Sequence, residues 1–113
     1  MTVSVTRLGI PCSIAKPYMV VVNHSLNGDF KYLEFRALVK RTKLYCANTW
    51  GYTTPLSRFD SKEFREIYRS YWVFSDKDDL VQFILSTNEY AIKTDMWPKK
   101  LLFVMFEYQE TEH

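Results

Sequence analysis

His24, Cys12, Cys46 and the acidic triplet Asp76, Asp78 and Asp79 are the residues of this 113-residue chain whose types could carry catalysis or hold a metal. An imidazole base needs a nucleophile within hydrogen-bond reach and a third group to orient it. Ser25 adjoins His24, but neighbouring residues of a strand point to opposite faces, so the pair is not read as a dyad. A zinc site takes about four thiolate or imidazole ligands, and Cys12, Cys46 and His24 supply three at most, without paired spacing. The Asp triplet lacks the glycine and the distal glutamate of a calcium loop and reads as helix capping. No GxxxxGK(S/T), GxGxxG or GxSxG phrase is present, which removes the common routes to nucleotide and acyl-transfer chemistry. No catalytic residue, cofactor or metal is therefore expected. A carboxylate-dependent enzyme stays open, because acids brought together by a fold are invisible in sequence.

A second constellation suits binding. Lys31, Arg36, Lys40, Arg41 and Lys43 are interleaved with Tyr32, Phe35, Tyr45, Trp50 and Tyr52. Cations neutralise phosphates or pair with carboxylates, while aromatic faces stack on bases or anchor protein interfaces. Tyr32, Arg36, Lys40, Arg41, Lys43, Trp50 and Tyr52 are the residues expected to meet a partner. Neither the aromatic motifs of an RRM nor the GXXG loop of a KH domain occurs. Charge is divided along the chain: residues 1–56 carry 7 Lys+Arg and 2 Asp+Glu, residues 57–113 carry 8 and 11. Such a division steers a polyanion to one face or lets the halves attract each other.

The elements that must position these residues follow from periodicity. Met1 to Leu8 alternates weakly and reads as an edge strand before Gly9-Ile10-Pro11. Asn27-Gly28 tolerates the positive φ angles of a type I′ turn, which predicts a hairpin over Tyr18–Val39 with Val22 opposite Leu33 and Val20 opposite Phe35. His24 then lies near the exposed hairpin tip. Leu44 to Tyr52 predicts a third strand and an antiparallel meander. Asp60 and Glu63 resemble a capping box, and Phe64, Ile67, Tyr68 and Tyr71 form a helical stripe, predicting a helix to about Ser70. Trp72-Val73-Phe74 reads as a short buried strand. Ser75 and Asp78 cap a second helix ending near Asn88. Leu101 to Tyr108, apolar on both faces, reads as a central strand. The expected fold is α+β: a single antiparallel or mixed sheet with an N-terminal β-hairpin or meander and two amphipathic helices packed on one face.

Composition bounds the rest. Eight Phe, eight Tyr and three Trp can fill a firm core in one domain, placed at residues 1–108, with 109–113 as a frayed tail. Two isolated cysteines and no apolar leader predict a reduced, cytoplasmic protein. The longest apolar run, Leu101–Phe106, is far short of a bilayer span.

The segment Trp72-Val73-Phe74-Ser75-Asp76-Lys77-Asp78-Asp79-Leu80-Val81-Gln82-Phe83 resembles a strand-turn-helix phrase of small accessory proteins of tailed bacteriophages. The resemblance covers about a tenth of the chain and carries no functional residue across. It implies a host-takeover or anti-defence protein working in the host cytoplasm by occupying a surface of a host factor. The expected function is stoichiometric, non-enzymatic attachment to a host protein or ribonucleoprotein. The alternative is a protein that binds RNA or single-stranded nucleic acid with the same patch, and a homodimer is compatible with either.

Overall fold

A computed structural model describes residues 2–5, 10–24, 32–62, 64–87, 91–92 and 101–109. Along the chain they form β1 (Thr2–Val5), β2 (Tyr18–Asn23), α1 (Tyr32–Tyr45), β3 (Trp50–Tyr52), β4 (Leu56–Asp60), β5 (Arg65–Phe74), α2 (Lys77–Thr87), β6 (Ala91–Ile92) and β7 (Val104–Gln109). The strands make one sheet in the order β1-β7-β3-β5-β2-β6, with β4 also paired to β5. Every ladder is antiparallel. The fold is α+β, an antiparallel sheet with two helices packed on it.

Strand alternation sorts the core into two layers. Val20, Val22, Trp72, Phe74, Val104 and Phe106 turn one way and meet Phe35, Leu38 and Val39 of α1 and Phe83 of α2. Val21, Tyr71, Val73, Phe103 and Met105 turn the other way, under Ile10, Cys12 and Ile14 of the segment before β2. Both helices therefore cover one face, as their amphipathic stripes require. In the helix-covered layer the Trp50 ring stacks on Phe106 at 4.3 Å and lies parallel to Trp72 at 6.0 Å. Gly51, between Trp50 and Tyr52, faces the other layer. A Cβ there would strike Met105 Sδ and stand 2.9 Å from the Val104 carbonyl oxygen.

Thr53, Thr54 and Pro55 oppose only Ser70 and Tyr71, so β3 and β4 are one arm interrupted by a bulge. Thr53 bridges the break: its N–H donates to Tyr71 O at 2.8 Å, and its Oγ1 accepts from Tyr71 N at 2.9 Å. Beyond Arg69, where pairing with β2 ends, β4 and the first residues of β5 run on as a ribbon. Its turn holds Phe64 at φ 52°, a conformation that costs a non-glycine residue roughly 1–2 kcal/mol.

Three expectations are corrected. The second arm of the predicted N-terminal hairpin is helix α1, and the true partner of β2 is β5, with Val20 opposite Trp72 and Val22 opposite Ser70. Asn27-Gly28 lies outside the described residues. The reason for the helix is the spacing of Phe35, Leu38, Val39 and Thr42 at i, i+3, i+4 and i+7, all buried. The third strand shrinks to Trp50–Tyr52, because Leu44 and Tyr45 complete α1. The helix predicted from Asp60 to Ser70 is the β4–β5 ribbon instead. Ile67, Tyr71 and Val73 against Ser70, Trp72 and Phe74 is a period of two, and burying both faces of a sheet outweighs the weaker helical stripe.

Other expectations hold. Trp72–Phe74 is strand, α2 follows it, β7 is buried on both faces and β1 is at the sheet edge. Asp76 caps α2 one residue later than expected, its Oδ2 accepting from Asp79 N at 3.2 Å. β7 reaches Gln109, one residue into the segment expected to fray, while Asn88 and 110–113 lie outside the described residues. Among the described residues no helix is long and apolar enough to cross a membrane.

Candidate functional site

Helix α1 gathers most of the residues expected to bind. With Phe35, Leu38, Val39 and Thr42 committed to the core, a helix of 3.6 residues per turn turns its remaining positions outward. Arg36, Lys40, Arg41 and Lys43 are all exposed, and Tyr32 is exposed at the first position. Lys43 is partly anchored, its Nζ lying 5.0 Å from the centre of the Phe106 ring in a cation–π contact. The four cations expected to meet a partner thus stand on the exposed surface of one helix, on which Glu34 is the acid.

Two of the three aromatic residues expected at the site, Trp50 and Tyr52, are not on that surface. Trp50 has 0 % of its surface exposed and belongs to the core. Tyr52 is partly buried, 5.3 Å from the Trp72 ring and 5.6 Å from Phe35, and burial raises its phenol pKa. In their place stand two residues that sequence reasoning missed: Leu33, 77 % exposed, and Leu44, 86 % exposed. The missed signal is spacing. Leu33, Ala37, Lys40 and Leu44 follow a 4-3-4 interval, which on a helix is one seam.

His24 is not at an exposed tip. It is partly buried just past β2, its N–H donating to Tyr68 O at 2.8 Å and its ring edge-on to Phe35 at 5.7 Å. Its Nε2 lies 2.7 Å from Ser70 Oγ, which also accepts a 2.7 Å hydrogen bond from Trp72 Nε1. Val22 opposes Ser70 and Val20 opposes Trp72, so these polar groups lie on the helix-covered face. Burial lowers the imidazole pKa to about 4, leaving it neutral near pH 7. A hydroxyl bonded to a neutral imidazole has the form of a nucleophile and base. Ser70 is completely buried in the middle of the sheet, however, so no substrate carbonyl can approach its Oγ. The arrangement satisfies three polar groups on the helix-covered face, with Ser70 and Trp72 fully buried and His24 partly so.

The remaining candidates resolve into structure. Cys46 is packed in the helix-covered layer, where burial raises its thiol pKa, and Cys12 contacts the opposite layer. Asp76 caps α2, and buried Asp79 accepts from Asn48 Nδ2 at 3.3 Å. Among the described residues no three His, Cys, Asp or Glu side chains converge as metal ligands do. Comparison with protein-family models, with curated proteins and with solved structures finds no match to this chain.

Proposed function

We propose that this protein is a non-enzymatic binding module that attaches stoichiometrically to a host protein through the outer face of α1, in the manner of a phage inhibitor or modulator. The observation that carries the reading is a helix with two apolar faces, of which only one is used by the fold. Leu33, Ala37 and Leu44 fall on one seam about 16 Å long at 1.5 Å per residue, with Lys40 within it and Arg36, Arg41 and Lys43 beside it. Helix-in-groove recognition reads anchors at such spacing. The surrounding cations select a groove with an acidic rim and speed encounter with it. Leu33 and Leu44 are the desolvated anchors.

The alternative, RNA or single-stranded nucleic acid, needs aromatic faces on which bases stack. With Trp50 inside the core and Tyr52 partly buried, Tyr32 is the exposed ring left among the predicted anchors. Four cations alone bind phosphate without discrimination. The protein-partner reading accounts for the exposed leucines and the nucleic-acid reading does not.

Affinity capture from nuclease-treated bacterial host extract tests the proposal, comparing the parent protein with Leu33→Ser/Leu44→Ser and Arg36→Glu/Lys40→Glu variants. The expected result is one protein retained in near-equal amount by the parent and lost from both variants. Retention by both variants would overturn it. So would a signal that disappears with nuclease or belongs to a second copy of the chain.

A further inference from the structure

A cavity of about 120 Å³ opens where α1, the last turn of α2 and the end of β2 meet. Its walls are Val22, His24, Glu34, Leu38, Arg41, Ser86 and Thr87. It lies to one side of the exposed leucine stripe and has a chemistry of its own. Val22 and Leu38 make an apolar patch. Ser86 Oγ donates to Phe83 O at 2.8 Å and Thr87 Oγ1 to the same oxygen at 2.9 Å. With those protons committed, both hydroxyl oxygens keep acceptor capacity, Ser86 Oγ also lying 3.5 Å from the Tyr45 hydroxyl. The last turn of α2 contains no basic residue, so its carbonyl end keeps the partial negative charge of a helix C-terminus.

Two formal charges of opposite sign complete the lining, one from Glu34 and one from Arg41. They stand seven residues apart on α1, beyond the three- or four-residue interval at which helix side chains pair. Seven residues at 1.5 Å each separate their Cα atoms by about 10.5 Å along the axis. A ligand that carries both an ammonium and a carboxylate can meet one of these charges at each end. A ligand with one charge would meet a like charge across the cavity. A dipolar one meets complement at both ends.

We propose that this cavity binds a small free α-amino acid with a short aliphatic side chain. Its carboxylate pairs with the Arg41 guanidinium and its ammonium with the Glu34 carboxylate and the hydroxyl acceptors. The side chain lies against Val22 and Leu38. A volume of about 120 Å³ suits a short side chain. His24, neutral because it is buried, adds no third charge.

The test needs the protein alone, so its outcome is independent of whether α1 docks on a partner. L-Valine is titrated into isotopically labelled protein while the amide signals of Val22, His24, Ser86 and Thr87 are followed. Isovalerate and isobutylamine, which lack the amino and the carboxyl group respectively, serve as controls. The expected result is saturable movement with valine by about 10 mM and binding at least about tenfold weaker for either control. Glu34→Gln and Arg41→Gln, both at exposed positions, are each expected to weaken valine by about tenfold while leaving the fold intact by circular dichroism. No saturable movement would overturn the proposal. Equal binding of isovalerate or isobutylamine, or undiminished binding by both variants, would do the same.

Discussion

Leucines stand on both faces of α1 and meet opposite fates. The inner face buries Phe35, Leu38, Val39 and Thr42 against the Trp72 and Trp50 layer. The outer face leaves Leu33 and Leu44 in water beside four cations. Burying a leucine side chain is favourable by about 1.5–3 kcal/mol, and among the described residues nothing collects that energy from the outer pair. Apolar residues on the inner face specify how the chain folds. Those on the outer face are free to specify what it meets.

The largest effect that sharpens this contrast belongs to the inner face. Phe35 touches the Trp72, Tyr52, His24 and Tyr32 rings, so Phe35→Ala is expected to cost about 3–5 kcal/mol in urea unfolding. A loss below 1 kcal/mol, of order RT, would mean that α1 does not pack as described. Next comes the polar network beneath that ring. Because burial disfavours the imidazolium, His24 has a folded pKa of about 4, below its unfolded value of 6.5. As pH falls the unfolded chain takes the proton first. The stability held by the neutral imidazole is complete above pH 6.5 and is lost toward pH 4, by on the order of 2–3 kcal/mol. Stability measured over that range should fall less steeply in His24→Gln than in the parent, and identical slopes would contradict the buried placement.

Ser70→Ala strips the acceptor from Trp72 Nε1 and the partner from His24 Nε2, an expected loss of about 1–3 kcal/mol by thermal or urea unfolding. At the small end is the outer face itself. Leu44→Ser is expected to change stability by no more than about 0.5 kcal/mol. A larger loss would show that the outer leucines serve the fold after all and would erase the comparison.

Much of the sheet was legible from the chain because its residues satisfied one period only. Trp72–Phe74 and Val104–Phe106 are apolar on consecutive positions too short for a helix, and the Asp-rich start of α2 announces its own dipole. Failure came where one segment satisfied two periods. Leu33, Phe35 and Ala37 alternate as a strand does, while Phe35, Leu38, Val39 and Thr42 repeat as a helix does, and Asn27-Gly28 tipped the balance toward a hairpin. Phe64, Ile67, Tyr68 and Tyr71 misled in the other direction. The cations of the candidate surface were legible as a cluster whatever the backbone did, since Arg36 to Lys43 are close in sequence. Trp50 was not, because an aromatic residue next to basic ones looks the same whether it stacks on a partner or on Phe106. The bond between His24 and Ser70 spans 46 residues and exists only through the β2–β5 register.

The central claim is that the outer face of α1 is a docking surface independent of folding. The most direct measurement pairs equilibrium unfolding of Leu33→Ser/Leu44→Ser with its affinity for the protein captured by the parent chain. Unchanged stability, within about 0.5 kcal/mol, together with at least about a hundredfold loss of affinity is the predicted result. Undiminished affinity, or a collapse of stability to match, would contradict it.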